Sequence, residues 1–242
     1  MQEDKDNVSV QASDEVSYDT LVKAKTLLQN RDNFYFQSLC NMMDDTTLRL
    51  GRSDLSVLEV GFNNGKRLRE LSRRYEDAFF IGLEVREKPV SDMKNLGFDC
   101  RLVETELFNE FFNSGEMFDV IYGFAVLHHL SDPYKSLESL IKLLKPGGVL
   151  MFIREGHPFD VVSHLHTTIL GNWEFEKNTF KMNRRRFKEL LSRYSTDFYV
   201  KYDNNGIAPC FRRLNSIYCK LKMQRVPFWN GITLYARIDS HK

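Results

Sequence analysis

The residues able to do chemistry fall at the ends of apolar runs. Glu59 nearly closes the run 56–60 and is followed by a turn bracketed by two glycines, giving Glu59-x-Gly61-x-Asn63-x-Gly65. A short strand, a glycine turn and then a helix aim backbone N–H groups and a positive helix end at one spot, a seat for an anionic or carboxylate-bearing ligand. Gly61 lets the backbone approach such a ligand with no side chain in the way. Glu84 ends the next apolar run, where a carboxylate can accept hydrogen bonds from a diol. His128 and His129 follow a third run, and Glu155 and His157 a fourth. Each of these four can take a proton from an attacking hydroxyl.

The elements that must position these groups alternate regularly. Strands are expected at 56–60, 78–85, 100–103, 117–126 and 149–153, with helices at 66–75 and 88–96. Ser131-Asp132-Pro133 supplies a capping side chain and a first-turn proline for a further helix. Leu137, Leu140, Ile141 and Leu144 mark its buried face, and the 145–148 turn, Lys-Pro-Gly-Gly, ends it. Near-continuous apolar strands alternating with helices predict a mostly parallel sheet covered on both faces, in an α/β doubly wound fold. Beyond it, 156–182 lacks a clear period and reads as an insertion on the acceptor side, with His164, His166 and Trp173. A helix at 183–194, a strand at 198–202, a basic helix at 209–223 and a closing strand at 232–238 complete a seven-stranded sheet. Residues 1–16 are polar and acidic, an expected disordered tail. Two amphipathic helices at 18–28 and 34–48 follow, a lid or packing pair within 17–50, ahead of the main domain at 51–242.

Composition narrows the class. With 242 residues, 42% hydrophobic and 28% charged, the chain suits one sizeable soluble α/β domain. No apolar run approaches the roughly 20 residues needed to span a bilayer. The acidic start is unlike a secretory signal, which predicts a cytoplasmic protein. Cys40, Cys100, Cys210 and Cys219 lack metal-ligand spacing, so no metal is expected. The net charge of +1 conceals a bias: from 178 to 225 twelve Lys and Arg face three Asp and Glu, enough to attract phosphate, anionic lipid or RNA.

The glycine spacing excludes two nucleotide folds. A dinucleotide fingerprint would need glycines where Asn63 and Lys66 stand, and no P-loop Gly-Lys-Ser/Thr follows. The acidic strand end, the glycine turn and Glu84 together resemble motif I of the class I S-adenosylmethionine-dependent methyltransferases. Asn63 replaces the family's middle glycine, a small polar residue that tolerates left-handed backbone angles. Phe118-Asp119-Val120-Ile121, followed by Val126-Leu127-His128-His129-Leu130, resembles the family's fourth strand. The 143–150 segment resembles its helix–turn–strand.

The resemblance implies S-adenosyl-L-methionine as cofactor and S-adenosyl-L-homocysteine as product. It implies that Glu59, Gly61, Asn63 and Gly65 surround the amino-acid end and that Glu84 takes the ribose. Glu104 and Thr105 would flank the adenine, and Phe124 would offer backbone to the ammonium. Asp119 is expected to support strand packing. His129, His128 and His157 are the candidate bases. The acceptor expected is an oxygen of a small molecule such as a sugar, glycolipid or quinone, phosphate-bearing or lipid-linked, with peripheral membrane contact through the basic segment. RNA methylation through Arg184–Arg186 is the alternative, although no Asn-Pro-Pro-aromatic motif follows the fourth strand. A non-catalytic cofactor-binding scaffold is a third reading.

Overall fold

β1 (Ser56–Val60), the strand that carries Glu59, is buried from Val57 onward. It lies inside a seven-stranded sheet of order β3-β2-β1-β4-β5-β7-β6. The computed structural model describes residues 34–103, 115–156, 182–202 and 231–239. The expected strands form as β2 (Phe79–Glu84), β3 (Asp99–Leu102), β4 (Phe118–Phe124), β5 (Leu144–Glu155), β6 (Asp197–Tyr202) and β7 (Ile232–Arg237). β1 pairs in parallel with β2 and β4, β2 with β3, and β4 with β5. β7 runs antiparallel between β5 and β6.

Alternation along the strands sorts side chains to two faces. Leu58, Val60, Ile121, Leu150, Phe152 and Leu234 face α4 (Pro133–Lys142) and α5 (Arg184–Leu191), the helices expected at 131–144 and 183–194. Val57, Phe80, Val120, Tyr122 and Met151 face three other helices. These are α1 (residues 34–50), α2 (Lys66–Arg74) and α3 (Glu87–Asn95). Helix starts follow the expected chemistry: Asp132 accepts from the N–H groups of Tyr134 and Lys135 ahead of a first-turn proline. Asn183 does the same for Arg185 and Arg186.

Element ends shift by a few residues from expectation, most at the start of β5. β5 begins at Leu144, which pairs with Phe118 before the register shifts and Val149 pairs with Val120. The 145–148 turn is therefore a wide bulge inside the strand, stitched by Gly147 N–H to Ile238 C=O and Ile238 N–H to Gly148 C=O. Asp119 has the packing role foreseen for it. Its carboxylate accepts from Ser56 N–H at 2.8 Å, Lys145 Nζ at 3.0 Å and Arg52, tying β1, β4 and β5 together at their amino ends.

Candidate active site

The turn after β1 takes the shape its residue types require. Gly61 has φ 70° and Gly65 φ 68°, angles at which a side chain is strained. A Cβ on Gly61 would lie 2.5 Å from Val126 Cγ2, and one on Gly65 2.2 Å from Met93 Sδ. At Gly65 the backbone angle is what favours glycine, with the flexible Met93 side chain of α3 packed against it. Asn63 occupies the left-handed region at φ 55°, as its type allows.

Under this turn Glu59 is fully buried. The β1–β4 register sets Glu59 opposite Tyr122, whose hydroxyl donates to Glu59 Oε2 at 2.9 Å. Its other oxygen, Oε1, is buried with no hydrogen-bond partner. Burial pushes the carboxyl up to about 7, against the pull of the Arg67 guanidinium and the Tyr122 hydrogen bond. A buried carboxylate oxygen with no donor is costly unless something supplies one. It suits a ligand ammonium.

Glu84 is buried at the end of β2, and its acceptor positions are engaged. Oε2 accepts from Asn63 N–H at 2.8 Å and Arg86 Nη2 at 3.0 Å; Oε1 accepts from Val85 N–H at 3.0 Å and Arg86 Nε at 3.1 Å. Arg86 also donates to Asn63 Oδ1 at 2.8 Å. Glu84 therefore holds the glycine turn as well as ending its strand. A diol could bond it where the half-exposed Arg86 now does.

The turn after β4 holds a second buried carboxylate. Glu155 accepts from the N–H groups of Val126 at 3.1 Å and His128 at 3.3 Å, and lies 2.9 Å from His128 Nδ1. With the proton on Nδ1 the ring donates to Glu155 and Nε2 keeps its lone pair; with the proton on Nε2, Nδ1 accepts from the Gly156 N–H at 3.2 Å. His128 is buried, while the exposed His129 packs its ring 4.1 Å away. The structure gives His128 a buried carboxylate 2.9 Å from its Nδ1.

Among the described residues, the non-glycine positive-φ positions are Asn63, Ala125 and Arg154, at the carboxyl ends of β1, β4 and β5. Strain of this kind gathers where a site is held in shape by its surroundings. The three strand ends are neighbours in the sheet, so Glu59, Phe124, His128 and Glu155 are brought to one rim. The ring of Phe124 meets Tyr35 of α1 edge-on at 5.5 Å and the Arg67 guanidinium at 3.7 Å from its centroid.

Glu104, Thr105 and His157 lie outside the described residues, as do His164, His166, Trp173, the 18–28 helix and most of the basic segment. Within that segment the arginines of α5 are engaged. Arg184 donates to Val200 C=O at 2.8 Å, Arg185 pairs with Glu189 at 2.8 Å, and Arg186 lies 4.1 Å over the Tyr134 ring. Sequence reasoning missed Tyr122, Arg67 and Arg86. Tyr122 was readable in principle, since parallel pairing of two alternating strands puts it beside Glu59. The arginines carried no signal beyond charge.

A fold of this topology with a glycine turn at the central strand defines a class, and comparison with known proteins gives it a family. The profile of the methyltransferase domain family matches residues 32–194. Two curated proteins are similar over part of the chain. A tRNA U34 carboxymethyltransferase of Desulfotalea psychrophila is 30% identical over 112 residues, 42% of this chain and 33% of that protein. A ubiquinone biosynthesis O-methyltransferase of Parvibaculum lavamentivorans is 29% identical over 121 residues, 45% of this chain and 46% of that protein. Each match thus spans less than half of the relative's length. The crystal structure of the plantazolicin methyltransferase BamL, in complex with a triazolic desmethylPZN analog and SAH, shares the fold. Its TM-score is 0.61 at 16% identity, over 94% of this chain and 90% of that one. The chain belongs to this methyltransferase domain family and shares the fold of the solved methyltransferase. Among the described residues no helix is long and apolar enough to cross a membrane.

Proposed function

We propose that the chain methylates an oxygen of a small molecule, with His128 as general base and Glu155 as the residue that positions it. The observation that carries this reading is the 2.9 Å contact between Glu155 and His128 Nδ1 at the end of β4; a proton held on Nδ1 by that carboxylate would make Nε2 the basic nitrogen. When bound, S-adenosylmethionine supplies an electrophilic methyl group. The chain's own residues suit that guest. Glu59, with its partnerless oxygen, would hold the ammonium beside the Phe124 backbone. Gly61, Asn63 and Gly65 shape the turn around the amino-acid end. Glu84 would take the ribose diol in exchange for Arg86, with Glu104 and Thr105 flanking the adenine. As the acceptor oxygen gains the methyl, His128 Nε2 receives its proton, and aligned reactants in a dry site supply much of the acceleration. His129 and His157 are the other candidate bases.

The test is to incubate a small-molecule extract with the protein and S-adenosylmethionine. Products heavier by one CH2 and release of S-adenosylhomocysteine are the readouts. His128→Ala should cut turnover by ~10²–10⁴ with little change in cofactor affinity. Glu155→Gln, which can present an N–H to Nδ1 and so invert the tautomer, should lower turnover and alter its pH profile. Wild-type turnover in His128→Ala would sink the assignment.

RNA methylation is the second reading, supported by the likeness to the tRNA-modifying relative. Against it, the α5 arginines are occupied by intramolecular contacts. Methyl transfer to RNA and none to the extract would favour it.

A further inference from the structure

We propose that Tyr122 is the positioning residue for Glu59: its hydroxyl tethers Oε2 so that Oε1 stays presented to the ammonium of the cofactor. The inference rests on the placement of that ammonium at Glu59 and adds the residue that keeps its seat open.

The two side chains meet because β1 and β4 are parallel, with a register that sets Glu59 opposite Tyr122. Tyr122 belongs to the core layer under α1, α2 and α3, and both side chains are fully buried. The Tyr122 hydroxyl donates to Glu59 Oε2 at 2.9 Å, while Oε1 has no partner. Burial, reinforced by the adjoining carboxyl, pushes the phenol well above the usual tyrosine range, so it is a donor at every working pH. Among the described residues, the other charged or titratable groups that face Glu59 are Arg67 on α2, Glu84 on β2 and the Cys100 thiol on β3. Of these groups Tyr122 alone hydrogen-bonds to it.

A glutamate side chain turns about several torsions, and a buried carboxylate free at both oxygens would swing toward a nearby cation. Arg67 is such a cation: it pulls on Glu59 through its charge, without a hydrogen bond to Oε1. Two tethers keep the opposite charges apart. Tyr122 holds the carboxyl by Oε2, and the Phe124 ring holds the guanidinium, 3.7 Å from its centroid. Collapse of the two into a bidentate pair would occupy the acceptor that an incoming ammonium needs. The tether also fixes in advance a side chain that binding would otherwise have to immobilise, and such preorganisation is read as affinity. Finally, the Tyr122 hydrogen bond favours the ionised carboxyl, the form that pairs with an ammonium.

The experiment uses Tyr122→Phe, which removes the hydroxyl and keeps the ring in the core. Calorimetry measures S-adenosylhomocysteine binding to the full chain from about pH 6 to about pH 8.5. At the upper end the variant should bind about 3–10-fold more weakly than wild type. The pH below which affinity falls should move up by about one unit from the wild-type value near 7, because the ionised carboxyl has lost a donor. On a Glu59→Gln background, which has no carboxylate to orient, Tyr122→Phe should cost less than about twofold more. An unmoved pH profile in Tyr122→Phe would overturn the role, whatever the affinity. So would an equal loss on the Glu59→Gln background, which would make the hydroxyl a packing group. Failure of the ammonium placement itself reads differently: Glu59→Gln alone then binds as tightly as wild type, and the tether falls with it.

Discussion

If Glu59 holds the cofactor ammonium as proposed, it couples stability to ligand binding through a single proton. In the ligand-free fold its carboxyl titrates near 7, whereas an ordinary glutamic acid titrates at 4.5. Between those values the folded chain holds a proton that the unfolded chain has released. Stability from this residue therefore falls as pH rises from about 4.5 to about 7 and is level above that. A ligand ammonium needs the opposite form, so cofactor affinity should weaken about tenfold per pH unit below 7. Glu59→Gln should flatten that dependence, weaken cofactor binding at neutral pH and raise the melting temperature of the ligand-free protein. Calorimetry and thermal melts across pH check all three. A Glu59→Gln variant that binds cofactor as well as wild type would remove the carboxylate from the ammonium.

Among the elements, the sheet is tied at both ends by buried carboxylates, one set for stability and one proposed for chemistry. At the amino ends, burial pushes the Asp119 carboxyl up. The Ser56 N–H, Lys145 and Arg52 outweigh that effect and hold it below the usual aspartate value of 3.8. Its stabilisation is therefore present above that value and lost as pH falls through the lower, folded one. Asp119→Asn should destabilise the chain by about 1–3 kcal/mol at neutral pH, with the gap to wild type closing below pH ~4. Denaturant titrations at both pH values measure it.

The elements themselves were legible because strands covered on two faces read as apolar runs, and because Asp132, Pro133 and Gly65 punctuate the helices between them. The choice between His128 and His129 was not. It depends on Glu155, 27 residues away in sequence, arriving through the β4–β5 register. Nor was the left-handed conformation of Arg154 legible: the β5–β7 bulge that holds it has no glycine to announce it, and the close packing against it comes from Gly231. Glu84 was read as a ribose partner, but its hold on Asn63 and Arg86 follows from side-chain geometry that spacing alone does not encode.

For the whole molecule, one sheet divides the core into two layers and lines up its functional groups along a single rim. The helices beneath can vary their exposed faces without moving that rim, because Glu59, His128 and Glu155 hang from strand ends. The strand order also has a consequence in time. β7, residues 232–237, is made last yet sits between β5 and β6. During synthesis β1 to β5 can pair as they emerge, while β6 has no neighbour to join until β7 follows it. Two open strand edges face each other across a vacant lane until then, the kind of surface that recruits a second chain. A nascent chain stalled at residue 231 should be protease-sensitive and prone to aggregation, and one extended past 237 resistant, as pulse proteolysis on ribosome-bound chains would measure. The proposed catalytic rim has its carboxylates in place once Glu155 is made, but its β5 side is held only when β7 slots home.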